Sequence, residues 1–190
     1  ARGRSASWRS MGACAACAGS GLVGRADGIR ARASFAHPAA LCAGEGGRLY
    51  VADALSGAIR AVAVAEGGLV ETVAGGDVLA HGDRDGRGDA VRLQHPEGLA
   101  ARGGVLYLAD TYNHRLKVVD VAQRTITRWD VSFAPAEGPP DGPAAVPPGF
   151  DEPRGLSLAG DTLFVADTNR HAIRAVDLRT GVVRTVEIGF

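Results

Sequence analysis

The chain has 190 residues, 21 basic and 21 acidic side chains for a net charge of zero, and 46% hydrophobic residues. A balanced charge removes any general electrostatic pull toward nucleic acid, an anionic membrane or a polyanionic substrate. The apolar fraction is enough for a globular core, yet no apolar run approaches the roughly 20 residues that a bilayer-spanning helix needs.

Residues 1–17 read as an irregular segment. Its first ten residues carry Arg2, Arg4 and Arg9 with three serines and no acid, which resembles an organellar transit segment. The only methionine is Met11, so a truncated or out-of-frame start is an equal reading. Three cysteines do not make a disulfide framework.

From residue 18 onward one pattern recurs. Leu49-Tyr50-Val51-Ala52-Asp53 returns as Leu106-Tyr107-Leu108-Ala109-Asp110 and again as Leu163-Phe164-Val165-Ala166-Asp167. The three aspartates are 57 residues apart both times, and Pro38, Pro96 and Pro153 are spaced by 58 and 57. A fixed period of this size marks a repeat architecture. Asp27-Gly28, Phe35 and Pro38 are matched by Asp85-Gly86, Leu93 and Pro96, and by Asp141-Gly142, Phe150 and Pro153, so the linkers belong to the repeat.

Short runs rich in Val, Ile, Leu and Tyr between Gly, Asp and Asn clusters predict four strands per unit. They fall near 39–43, 48–53, 58–64 and 69–74; near 98–102, 105–110, 115–120 and 125–130; and near 154–158, 162–167, 172–177 and 182–187. No stretch has sustained helical periodicity. The expected fold is all-β: a partial β-propeller of about three four-stranded blades, over about 35–77, 93–131 and 150–188 within the repeat region 18–190. Rings usually need about 4–8 blades. The chain is therefore read as a piece of a longer protein, in preference to a chain whose open faces another chain covers. Alone, it is expected to self-associate or aggregate.

Pro96-Glu97-Gly98-Leu99, followed by Leu106-Tyr107-Leu108-Ala109-Asp110-Thr111-Tyr112-Asn113-His114-Arg115-Leu116, resembles the NHL repeat. Asn113, His114 and Leu116 stand at or beside the residues that name it. The third unit fits with its polar turn residues shifted, and the first has Ser56-Gly57 in place of Asn113-His114. Ala74-Gly75-Gly76-Asp77, Gly82-Asp83-Arg84-Asp85-Gly86 and Leu93-Gln94-His95-Pro96 are similar to the propellers of thioredoxin-linked NHL proteins. In those relatives a thioredoxin-like domain precedes the propeller and a short β domain follows it. The resemblance implies a protein partner or adjoining domains of the same polypeptide. It implies the thylakoid lumen if the chain is like the plant members, which also carry a haloacid dehalogenase-like domain, and the cytosol if like the animal ones.

The candidate functional residues have simpler readings beside their chemical ones. Asp53, Asp110 and Asp167 end the second strand of each unit, where a carboxylate accepts hydrogen bonds from the amides of the following turn. One identical Asp per unit suits a structural role, shared with Asn113, His114, Pro38, Pro96 and Pro153. His114 as a zinc ligand would need several converging histidines. His37 and His95, each directly before a proline, read as packing at a blade entry. Asp83, Asp85 and Asp89 resemble the acidic half of a calcium loop without its closing Glu, and Asp-Gly turns explain them more simply. Arg87-Gly88-Asp89 is a chance adhesion tripeptide. Cys14-Ala15-Ala16-Cys17 has redox spacing but no βαβ setting. Gly19-Ser20-Gly21-Leu22-Val23-Gly24 matches a dinucleotide fingerprint with no helix to follow it. Lys117, the single lysine, reads as coding bias toward arginine. The expected function is a non-catalytic interaction module with no cofactor and no nucleic-acid partner. The alternatives are an RNA-binding propeller and a metal-dependent enzyme of the lyase or lactonase kind.

Overall fold

The computed structural model describes residues 17–65, 67–134 and 149–187. Its strands form three sheets of five. The first contains β1 (Gly28–Ile29), β2 (Pro38–Ala43), β3 (Arg48–Asp53), β4 (Ala58–Ala63) and β5 (Leu69–Gly75). The second contains β6 (Gly86–Arg87), β7 (Pro96–Arg102), β8 (Val105–Asp110), β9 (Arg115–Asp120) and β10 (Thr125–Arg128). The third contains β11 (Ser132–Phe133), β12 (Pro153–Ala159), β13 (Thr162–Asp167), β14 (Ala172–Asp177) and β15 (Val182–Thr185).

The four long strands of each sheet are antiparallel neighbours in chain order, β2 to β5, β7 to β10 and β12 to β15. These are the strands the alternation predicts. The fifth member is a two-residue strand from the preceding linker, added to the outer edge. It pairs antiparallel in β1–β5 and β6–β10, and parallel in β11–β15. Pro38, Pro96 and Pro153 each open an inner strand opposite an aspartate, Asp53, Asp110 and Asp167 respectively, with a register shift just after the proline. A proline is tolerated there because the first residue of a strand need not donate to the ladder.

The sheets stack with their inner strands side by side, β2 against β7 and β7 against β12. The core lies between sheets. Tyr50, Ala52 and Ile59 of the first meet Leu93, Leu99 and Leu108 of the second. Ala109 and Leu116 of the second meet Phe150, Leu163 and Val165 of the third. A Leu or Ile buried this way contributes about 1.5–3 kcal/mol. Gly98 sets how closely the second and third sheets approach, since a Cβ there would stand 1.8 Å from the Arg154 carbonyl oxygen. Among the described residues no helix is long and apolar enough to cross a membrane.

Candidate functional site

Asp53, Asp110 and Asp167 are fully buried. Their amide partners differ from the expectation. Asp53 accepts from the backbone N–H of Ala36 at 3.0 Å and of His37 at 2.6 Å, Asp110 from Gln94 at 2.7 Å, and Asp167 from Asp151 at 2.8 Å. These amides lie upstream, in the segment that enters the blade, and not in the turn that follows. The carboxylate thus ties the end of the second strand to the start of the first. Only side chains of the following turn reach it: Ser56 Oγ donates to Asp53 at 2.7 Å, and Asn113 Nδ2 to Asp110 at 2.8 Å.

The turn itself is a single 3-10 turn ending in a left-handed residue, His114 at φ 54° and His171 at φ 52°. In the first blade Gly57 takes that place at φ 56°, so Ser56-Gly57 reproduces the function of Asn113-His114 with smaller residues. In the third blade the backbone turn keeps its register, with His171 where His114 stands, while the asparagine is shifted by one position, Asn169 preceding Arg170 at the place of Asn113. His114 Nδ1 lies 3.1 Å from both the Glu152 N–H and Asp151 Oδ1, joining the second blade to the third.

Each buried aspartate faces a cation on the third strand that the sequence reading passed over. Lys117 Nζ is 3.4 Å from Asp110, Arg60 Nη1 is 3.8 Å from Asp53, and Arg174 Nε is 2.9 Å from Asp167. Positions 60, 117 and 174 keep the 57-residue period of the aspartates, and that spacing was the available signal. Arg60 also donates to the Ser34 carbonyl at 2.9 Å and to Asp27 at 2.9 Å.

Lys117 corrects two expectations. It is fully buried, and the acids proposed for calcium hold its ammonium: Asp83 at 2.7 Å and Asp85 at 3.0 Å, with Arg115 also on Asp83 at 2.7 Å. Asp89 is elsewhere, paired with Arg25 at 3.1 Å. Among the described residues no three His, Cys, Asp or Glu are placed to hold a metal. Burial opposes the charge on Lys117, but its bonds to Asp83 and Asp85 and the field of Asp110 outweigh that and hold its pKa above the ordinary value. Burial pushes the Asp110 carboxyl up despite Asn113, Gln94 and Lys117. Cys14 lies outside the described residues. Cys17 is exposed, with its sulfur 3.8 Å from Arg30 Nη1.

A second polar cluster gathers where the linkers meet the inner strands. The rings of His81 and His95 are 5.0 Å apart edge to face, and His95 and Tyr112 are 4.7 Å apart. His95 has φ 51°. Burial, then the neighbouring His81, lowers its pKa below the usual histidine value. The Nδ1 atoms of His81 and His95 are buried without a partner among the described residues. Beside them Arg154 joins Glu97 and, at 3.1 Å, Glu152. At the opposite end of the blades, a cleft of about 650 Å³ between the first and second sheets is lined by Gly44, Tyr50, Arg102 and Leu106.

Sheets that grow outward from adjacent inner strands, each closed by a buried aspartate–cation pair, define consecutive blades of a β-propeller. The family model described as the NHL repeat matches residues 93–119, and the chain belongs to the NHL-repeat β-propellers. It is 36% identical to NHL repeat-containing protein 2 of Bos taurus over 184 residues, covering 90% of this chain and 25% of that protein. It is 40% identical to Protein SUPPRESSOR OF QUENCHING 1, chloroplastic, of Arabidopsis thaliana over 158 residues, covering 78% of this chain and 14% of that protein. The chain thus spans about a quarter or less of the length of these curated relatives. The fold is shared with an auxiliary nutrient binding protein of Bacteroides thetaiotaomicron, at a TM-score of 0.54 and 17% identity over 75% of this chain and 36% of that one.

Proposed function

We propose that the chain is a non-catalytic interaction module working within a larger, redox-associated protein. The observation that carries the reading is how the charged residues of the repeat are used. Asp53, Asp110 and Asp167 are each satisfied by backbone amides and a cation, which leaves them holding the scaffold. His95 has a like residue one period earlier in His37, but His81 and Tyr112 do not, and among the described residues the three-ring cluster forms once, at the mouth of the second blade. Tyr112 is 39% exposed. Aromatic rings with polar tips are the side chains that dominate protein recognition. The similarity to thioredoxin-linked NHL proteins supports an adjoining domain as the first partner to test.

The experiment is cross-linking with mass spectrometry on the full-length polypeptide, comparing native protein with a Tyr112→Ala/His95→Ala variant. Links from this end of the blades to a neighbouring domain are expected, and the variant should lose them while keeping its thermal transition. One equivalent of tightly bound metal in the purified protein, or RNA binding that weakens steeply with salt, would overturn the reading.

A further inference from the structure

The mouth of the second blade holds a group of rings that are kept in place by packing and not by hydrogen bonds. The His95 ring stands edge-on to His81 at 5.0 Å and tilted against Tyr112 at 4.7 Å. Both histidine Nδ1 atoms are buried with no partner among the described residues. The backbone beneath the ring is strained. His95 is left-handed at φ 51° immediately before Pro96, where a residue is ordinarily extended. Glu152 takes the same conformation before Pro153, at φ 47°, but hydrogen bonds secure it. Its N–H donates to His114 Nδ1 at 3.1 Å, and its carboxylate accepts from Arg154 at 3.1 Å. For His95 the ring contacts take the place of such bonds.

This packing suits a neutral imidazole, because a buried charge with an unpartnered N–H is costly. The groups around the ring sharpen that preference. His81 on the linker, His37 at the entry to the first blade and Arg154 on β12 all oppose a positive charge on His95. Tyr112 adds an uncharged ring. Glu97 on β7 favours the charge, but its carboxylate is already engaged by Arg154. Burial first, then His81, holds the His95 pKa below the ordinary 6.5. A base depressed in this way gives its packed state full stability above the ordinary value. That stability is lost as pH falls from there toward the folded value, because the released ring takes up the proton more readily. The Tyr112 N–H donates to the Gln94 carbonyl at 3.1 Å, so a change at His95 reaches Tyr112 through the backbone as well as through the rings.

We propose that docking at this mouth is gated by protonation of His95. The neutral ring holds Tyr112 in a firm aromatic surface for the adjoining domain, and the protonated ring leaves the stack and loosens that surface. The proposal rests on the interaction reading above and adds its regulation.

The test is photo-cross-linking on the full-length polypeptide, with a benzophenone amino acid in place of Leu79, which is 73% exposed and two residues before His81. Links to the adjoining domain should form at about pH 7.5 and fall at least about threefold by about pH 5, returning when the pH is restored. His95→Asn removes the titrating group and keeps a residue that tolerates the left-handed backbone, so its links should be equal at the two pH values. His81→Asn keeps the His95 ring and removes its histidine neighbour. The midpoint of the fall should then move up toward 6.5, and this decides the matter if His95→Asn abolishes docking outright. Native links that persist undiminished at the lower pH would overturn the gate and leave the interaction reading standing. So would a His95→Asn variant that loses its links as the native protein does, or a midpoint that His81→Asn does not move. An absence of links at every pH would overturn both.

Discussion

Lys117 and Asp110 lie 3.4 Å apart with neither side chain exposed to solvent. The ammonium also touches Asp83 and Asp85 from the preceding linker, so one buried charge fastens the linker, the second strand and the third strand of the blade together. Arg60 does the same for the first blade through Asp27 and Asp53. Charged groups withdrawn from water this far are tolerated only when paired and hydrogen-bonded. The pairs therefore dictate where the linker must lie.

Replacing Lys117 with Met leaves buried Asp110 without its cation. We expect a loss of about 3–5 kcal/mol, the usual consequence of breaking a buried pair by removing one partner, seen as a lower urea midpoint. Adding Asp110→Asn to that variant should recover part of the loss, because the uncompensated charge is then gone. Equal stability of the native protein and the single variant would show that the ammonium contributes nothing to the fold.

The acid limb of stability should come from the linker acids. Burial opposes the charge of Asp27 and Asp85, but hydrogen bonds from Thr72 and Arg60 to the first, and from Arg128 and Lys117 to the second, outweigh it and hold both below the ordinary 3.8. A carboxyl depressed in the folded state adds its stability in full above the ordinary value and loses it as pH falls through the folded value. Asp110, raised mainly by burial, has the opposite sign and gains slightly on protonation. Urea midpoints measured from about pH 6 down to about pH 2 should therefore hold or rise a little, then fall below the ordinary carboxylate range. An Asp27→Asn/Asp85→Asn variant should show a shallower fall, and an unchanged fall would place the acid sensitivity elsewhere.

The strands were legible because short runs of Leu, Val and Tyr stand between turn residues, and a blade that lies between two others must be apolar on both sheet faces to stack. The partners of Asp53, Asp110 and Asp167 were not. Asp beside a polar turn suggests local amides, whereas the amides that bind it lie 16 or 17 residues upstream. Lys117 was illegible for a different reason: a single lysine among arginines reads as coding bias, and only its neighbours in space reveal a buried charge held by three carboxylates. The acids at Asp83 and Asp85 do gather around a positive charge, but it is the Lys117 ammonium. The two-residue outer strands carry too short a pattern to be read at all.

Gly98→Ala should be the most damaging small substitution in the inner strands. Its methyl would stand 1.8 Å from the Arg154 carbonyl oxygen, and a backbone atom inside a sheet cannot swing aside as a side chain can. We expect a loss of at least about 3 kcal/mol, the upper end of overpacking costs. Gly155→Ala, one period on, meets nothing closer than 3.6 Å among the described residues and should leave the urea midpoint nearly unchanged. The contrast between the two is the measurement. Equal effects would mean that the second and third blades are not in the close contact described.

Arg124 occupies the left-handed region at φ 56°, where its repeat counterparts are Gly67 at φ 72° and Gly181 at φ 71°. Its guanidinium reaches back to the first blade and donates to the carbonyls of Val73 at 3.0 Å and Thr72 at 3.1 Å. The side chain thus offsets a backbone cost of about 1–2 kcal/mol with two bonds across the blade junction, each from a charged donor and worth about 1.5–3 kcal/mol. Two substitutions separate these contributions. Arg124→Ala keeps the strained backbone and loses both bonds, so it should destabilise most. Arg124→Gly loses the same bonds but relieves the strain, and it should lie about 1 kcal/mol above the alanine variant. Chemical denaturation of the three proteins reads the ordering directly. An alanine variant at least as stable as the glycine variant would show that the left-handed conformation at this position costs nothing.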